Sequence, residues 1–176
     1  MNVKDVVLAG LLGILAYLTL TKSGKGLVEQ IGVTIVDLSS NALYIIKNFE
    51  GFSPTPYKDA GGWSIGYGHF ILPGETFTVI DEAQGNELLK SDVAKASAAV
   101  RENVTVPLSQ NQFDALVSLV YNIGAGNFAG STLLRKLNGG DYSGAADQFP
   151  GWDRSQGRVL TVLADRRALE RDLFLA

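Results

Sequence analysis

The sequence has no cysteine and only one histidine among its 176 residues. Without cysteine the chain has no disulfide and no thiolate-bound metal, and it can work in a reducing or an oxidising compartment. The single histidine, His69, argues against a histidine-based metal site and against a Ser-His-Asp triad. We therefore expect no metal and no other cofactor.

The sequence also lacks a strong excess of either charge. Its 15 Lys+Arg and 18 Asp+Glu residues give a formal net charge of −3, with no basic stripe or arm. Nucleic acid is therefore not expected as a partner. Apolar residues make up 46% of the chain, which is typical of a folded protein, and the length suits one domain with an appendage.

One long apolar run is present near the N-terminus, VVLAGLLGILAYLTL at Val6–Leu20. It is shorter than the roughly 20 residues that a membrane-spanning helix needs. Leu18–Gly26 offers no Ala-x-Ala-like cleavage site. We favour an uncleaved signal anchor of marginal hydrophobicity. The alternative is a buried helix that packs on the domain or on a partner.

Two short segments follow the apolar run. Thr21–Gly26, TKSGKG, has the composition of a flexible linker. Leu27–Leu38 has apolar residues at helical spacing and is interpreted as a connecting element. We therefore divide the chain into an anchor or packing segment with its linker (1–26), a connecting element (27–40) and a folded domain (41–176).

The folded domain begins with a helix that ends near Glu50. Ser39, Ser40 and Asn41 supply capping oxygens at its start, and Gly51 ends it. Apolar side chains at i, i+3, i+4 and i+7 form one stripe, at Ala42, Ile45, Ile46 and Phe49. Glu50 then lies at the edge of an apolar core, where desolvation favours the protonated carboxyl that a general acid requires.

Pro54–His69 contains the glycines, aromatics and alternation of a β-hairpin or a three-stranded meander. Asp59 precedes a turn, where it is more exposed and stays ionised, and Ser64 lies on the returning strand. Two carboxyls in different environments are the pair that glycoside hydrolysis uses. The alternative for Asp59 is that it only caps the turn.

The remainder of the chain is predicted to be helical. A long helix begins at Asp81, a strongly apolar helix follows Ser109, and three more helices are expected at Ser131–Leu137, Ser143–Phe149 and Arg158–Leu175. Glycines break the chain after Asn122. The fold class is therefore α+β: a small hairpin lobe and a larger helical lobe with a cleft between them, preceded by an apolar N-terminal helix.

Several motifs, in their order and spacing, resemble the phage-type lysozymes, the endolysin family of glycoside hydrolases. The resemblance covers roughly residues 41–174. The motifs are FEGF at Phe49–Phe52, YKD at Tyr57–Asp59, WSIGYGH at Trp63–His69, LLKSDV at Leu88–Val93, NQFDALVSLVYNIGAG at Asn111–Gly126, STLLRKLNGGDY at Ser131–Tyr142, and GWDRSQGRVL with DRRALERDLF near the end.

The resemblance implies cleavage of the β-1,4 bond between N-acetylmuramic acid and N-acetylglucosamine in peptidoglycan. Glu50 matches the family's acid and Asp59 its second carboxylate. Ser64 matches a threonine, with a gap from Asp59 one residue shorter than usual. Asp59 and Ser64 would hold and activate a water, an inverting arrangement that needs carboxyls about 6.5–9.5 Å apart.

The resemblance also implies roles for residues outside this trio. Tyr121 and Asn122 match positions that line the cleft and contact sugar. Arg166 or Arg167 matches the arginine that pairs with the acidic residue, and we count Arg166 among the substrate-binding side chains. His69 matches a histidine that forms a structural ion pair, with Asp92 as its partner. Trp63 and Trp152 are interpreted as packing residues rather than as sugar-stacking ones.

A weak uncleaved anchor before such a domain resembles the signal-anchor-release endolysins, which wait at the inner membrane and act in the periplasm on host lysis. Because this chain has no cysteine for a thiol switch, activation is expected to come from refolding of residues 6–38. Two alternatives remain. One is a virion-associated lysozyme for wall penetration, assembled through residues 6–20. The other is a catalytically weak module that only binds peptidoglycan.

Overall fold

The structure, a computed structural model, describes residues 39–59, 61–155 and 157–176. The predicted anchor at 6–20 and the connecting segment at 27–38 lie outside the described residues. In chain order the elements are α1 (Ser40–Glu50), β1 (Ser53–Asp59), β2 (Gly62–Gly66), β3 (His69–Phe70), α2 (Glu82–Asn103), α3 (Gln110–Ile123), α4 (Ala125–Ala129), α5 (Thr132–Asn138), α6 (Tyr142–Ala146), a 3₁₀ helix (Phe149–Trp152), β4 (Arg154–Ser155), β5 (Arg158–Val159) and α7 (Thr161–Leu175).

The first helix, α1, is fixed at both ends. The Ser39 hydroxyl accepts a hydrogen bond from the Asn41 backbone N–H (3.1 Å) and also donates to the buried carboxylate of Asp114 on α3. At the other end Gly51 adopts a φ of 67°, and its N–H donates to the Lys47 carbonyl (3.0 Å). The predicted start and end of this helix are therefore confirmed.

The three strands that follow form an antiparallel sheet in the order β1-β2-β3, as the meander interpretation predicted. Asp59 pairs with Gly62 across the first turn, and Tyr57 pairs with Ser64. A Cβ atom on Gly62 would lie 2.8 Å from the Phe70 ring, so only glycine lets this ring close over the hairpin. Asp59 is therefore the last residue of β1, next to this closed turn.

The two long helices start where the sequence predicts. Asp81 and Gln84 form a capping box at the start of α2, and Ser109 and Gln112 form one at the start of α3. Helix α3 contacts α1, α2 and α7, and most of its side chains are buried. It is the central helix of the larger lobe, and the α+β class is confirmed.

The break predicted after Asn122 is confirmed, because α3 ends at Ile123 and Gly124 adopts a φ of 83° before the short helix α4 begins. Two predicted helix boundaries in the C-terminal half are wrong. The helix predicted at Ser143–Phe149 ends at Ala146, and Pro150 lies inside the 3₁₀ helix that follows. The last helix begins at Thr161, because Arg158–Val159 is extended and pairs with Arg154–Ser155, with Gly157 at a φ of 79° in the turn.

The small sheet and the helical lobe meet along the start of α2. A Cβ atom on Gly85 would lie 2.6 Å from the Phe52 ring, so the absence of a side chain lets the two lobes approach closely. The Tyr67 hydroxyl donates to the Glu82 carboxylate (2.7 Å) beside this contact. Within residues 39–176 as described, no helix has the length and apolar character needed to cross a membrane.

Candidate active site

Glu50 is the last residue of α1, and its carboxylate is held between the two lobes. The side chain is 21% exposed, and the Arg166 Nη1 atom lies 2.6 Å from its Oε1 atom. A Cβ atom on Gly68, in the loop between β2 and β3, would lie 3.3 Å from its Oε2 atom. Gly68 has a φ of 86°, which favours glycine there. One carboxylate oxygen is therefore bound by arginine, and the other faces the glycine loop.

Arg166 is fixed by partners on every nitrogen of its guanidinium. Nη1 contacts Glu50, Nε donates to Glu170 (3.1 Å), and Nη2 donates to the Ser118 carbonyl (3.2 Å). The residue is 2% exposed. Its placement among substrate-binding residues is corrected accordingly: Arg166 lies behind Glu50, and of the two candidate arginines it is the one that pairs with Glu50.

Glu170 is a carboxylate buried one helical turn beyond Arg166. It is 0% exposed, and the sequence interpretation gave it no role. Its Oε1 atom accepts from the Ser118 hydroxyl (2.6 Å) and from Arg167 Nη2 (3.1 Å). Burial raises the pKa of Glu170, and the charges of Arg167 and Arg166 oppose that rise. Burial likewise lowers the pKa of Arg167 to about 10, so this guanidinium stays charged at neutral pH.

Asp59 and Ser64 lie on either side of the hairpin turn, next to Tyr57. Asp59 is exposed, whereas Ser64 is 2% exposed and faces Tyr57 across the two strands. Burial raises the pKa of Tyr57, the charges of Asp59 and Glu50 raise it further, and the Ser64 side chain opposes the rise. Tyr57 thus lies in the field of both carboxylates. The alternation of strand residues places Tyr57 and Asp59 on one face, a signal that could have identified Tyr57 from the sequence.

Tyr121 and Asn122 line two different hollows. The Tyr121 hydroxyl donates to the Tyr67 carbonyl (2.8 Å), which supports the loop that carries Gly68. Burial, and then the charge of Glu50, raise the pKa of Tyr121, so the hydroxyl stays protonated. Tyr121 lines a cavity of about 270 Å³ together with Gly68. Asn122 lines a groove of about 500 Å³ that includes Asp59.

The two tryptophans differ in their exposure. Trp63 is 54% exposed, so its interpretation as a packing residue is wrong. Trp152 is partly buried and lines the groove that contains Asp59 and Asn122. An aromatic side chain beside amides and a carboxylate suits contact with a sugar ring.

His69 has a structural position, as predicted. Its Nδ1 atom lies 2.6 Å from Asp92 on α2, and its Nε2 atom lies 3.2 Å from Glu75. A hydrogen bond from the Leu72 backbone N–H, together with the His69 side chain, lowers the pKa of Glu75. The contact with Asp92 is confirmed, and it ties β3 to the long helix.

A small β lobe and a larger helical lobe, with the Glu50 carboxylate held between them by Arg166, are the features of a lysozyme-like glycosidase. Within the described part of the chain no cluster of three potential ligands could hold a metal ion. The phage lysozyme family model matches residues 47–170. The endolysin of Acyrthosiphon pisum secondary endosymbiont phage 1 is 42% identical over 78% of this chain and 97% of the relative.

Two further comparisons agree with this family. The SAR-endolysin of Enterobacteria phage P21 is 38% identical over 86% of this chain and 90% of the relative. Among solved structures, the muramidase domain of SpmX from Asticaccaulis excentricus superposes with a TM-score of 0.74, at 36% identity, over 81% of this chain and 99% of that chain. The chain belongs to the phage lysozyme family, and its function is that of a phage endolysin, a muramidase. The predicted resemblance is confirmed.

Proposed function

We propose that the chain hydrolyses the β-1,4 bond between N-acetylmuramic acid and N-acetylglucosamine, with Glu50 as the general acid. The observation that carries this proposal is that the two carboxylate oxygens of Glu50 have different surroundings. Arg166 holds Oε1, which fixes the side chain, and Oε2 faces the Gly68 loop at the junction of the lobes. A positioned carboxyl with one oxygen available is what proton transfer to a leaving group needs.

Asp59 and Ser64 are the proposed partners that hold and activate the water. In the reaction the water oxygen bonds to the anomeric carbon while the glycosidic C–O bond breaks. The Glu50 proton goes to the leaving oxygen, and the water gives a proton to Asp59. Tyr57 lies next to both residues, and the charges of Asp59 and Glu50 both raise its pKa, which supports this assignment. Attack from the opposite face inverts the anomeric configuration.

Product analysis tests the reaction type. We expect the full-length chain, acting on purified peptidoglycan, to release new reducing ends whose first-formed anomer is α. Proton NMR recorded within the first minutes, before mutarotation, distinguishes this anomer from β. A β-anomer formed first would reject the inverting arrangement. Products with 1,6-anhydro ends and no new reducing ends would reject hydrolysis itself.

The N-terminal segments have a proposed role in location. We propose that residues 6–20 are a signal anchor that tethers the domain of residues 41–176 at the inner membrane, facing the periplasm, with 27–40 as the connection. The similarity to a SAR-endolysin supports this proposal. In a Gram-negative host the full-length chain should sediment with membranes. A variant with Ile14→Lys and Leu18→Lys should not, and equal distribution of the two would contradict the anchor.

A further inference from the structure

Glu170 is the one fully buried carboxylate at the site, among the described residues, that the proposed reaction does not use. Its Oε1 atom receives hydrogen bonds from the Ser118 hydroxyl, from Arg166 Nε and from Arg167 Nη2. The Arg167 Nε atom lies 2.8 Å from its other oxygen. Such a group either is a structural ion partner or acts on the chemistry through the arginine that it shares with Glu50.

The charges of the cluster balance as a set. Arg166 and Arg167 are cations that are 2% and 1% exposed, and Glu170 and Glu50 are the anions that contact them or lie near them. If Glu170 were neutral, Glu50 would be the remaining anion beside both cations. The two arginines would then stabilise the ionised form of Glu50 more strongly, so its protonation would require a lower pH.

We propose that Glu170 is a positioning residue, which orients Arg166 and sets the pH range over which Glu50 can supply its proton. This inference rests on the proposed function of Glu50. The geometry gives Glu170 both tasks, because Arg166 Nε is bound to Glu170 while Nη1 is bound to Glu50. Ser118 completes the arrangement: its hydroxyl donates to Glu170, and its carbonyl accepts from Arg166.

The other groups around Glu50 do not supply this control. Tyr57 and Tyr121 both have pKa values raised above the ordinary value, so both hydroxyls stay protonated at neutral pH. Asp59 faces the same region from β1, and its charge is common to all the variants described below. The remaining charges beside Glu50 are the two arginines of α7 and their counter-ion Glu170. Of these, the variants change Arg167 and Glu170.

The test compares pH profiles of kcat/KM for full-length variants on soluble peptidoglycan fragments. In Glu170→Gln we expect the limb on which activity falls with rising pH to move down by about one pH unit. Activity at pH 7 then drops about tenfold on that limb. In Arg167→Gln one cation is removed instead, so the same limb should move up.

A double variant separates charge from packing. Glu170→Gln combined with Arg167→Gln restores the balance of charge, and we expect its limb to return to within a few tenths of a unit of the parent limb. If Glu170→Gln does not fold, the opposite shift in Arg167→Gln and its cancellation in the double variant carry the test. Limbs at one pH in all variants, with only stability or kcat reduced, would overturn the inference. Activity retained in Glu50→Gln would instead reject the proposed function on which it rests.

Discussion

Replacing Glu50 by glutamine is expected to lower the rate of peptidoglycan hydrolysis by about a thousandfold, because general acid catalysis contributes about 10²–10⁴. Glutamine has nearly the same size, and its carbonyl oxygen can still accept from Arg166, so the fold and the cleft should survive. The assay counts new reducing ends released by the full-length chain from purified peptidoglycan.

The control for Glu50→Gln is Glu87→Gln, an exposed carboxylate on α2 that pairs only with Lys90 among the described residues. It removes the same charge from the surface and should leave the rate within a factor of two. A Glu50→Gln variant that keeps a tenth or more of the parent rate, with its fold intact, would contradict the assignment of Glu50.

Arg166→Met is expected to cost about 3–5 kcal/mol of unfolding free energy, the typical effect of removing one partner from a buried ion pair. The change leaves Glu170 with a single arginine and removes the donor from the Ser118 carbonyl. It also frees the Glu50 side chain, so activity should fall as well. Urea unfolding followed by circular dichroism measures the stability, and the reducing-end assay measures activity.

The same helix offers a matched control for Arg166→Met. Arg171 has a side chain that is 38% exposed and contacts one exposed carboxylate, Asp147 (3.0 Å). Arg171→Met should therefore change the unfolding free energy by less than about 1 kcal/mol. Equal losses in the two variants would show that burial of Arg166 is not what makes its contacts strong.

Local signals in the sequence were sufficient to predict the helices and turns whose ends are marked by capping residues or glycines. The capping boxes at Asp81 and Ser109 fix helix starts through contacts within four residues, and Gly51 ends α1 by its own backbone conformation. Glu50 and Asp59 were found because each lies directly beside such a signal. The resemblance to a family added their roles, which spacing alone left open.

What the sequence did not predict depends on packing between distant segments. Arg166 and Arg167 are neighbours about 100° apart on one helix, and only the position of α7 against α1 decides which of them reaches Glu50. Glu170 was given no role, because its partner Ser118 lies 52 residues earlier and only the folded chain brings the two together. Strands of two residues, such as those at Arg154 and Arg158, are too short to show a period.

The most direct test of Glu50 as proton donor is a change of leaving group. In a 2,4-dinitrophenyl glycoside of a peptidoglycan-derived oligosaccharide, the leaving group is 2,4-dinitrophenolate, which departs without protonation. Glu50 is therefore not needed for the cleavage of this substrate. The account predicts that Glu50→Gln loses about a thousandfold on peptidoglycan but less than about tenfold on the aryl glycoside. Equal losses on both substrates would contradict it, because Glu50 would then serve the site in some way other than by giving a proton.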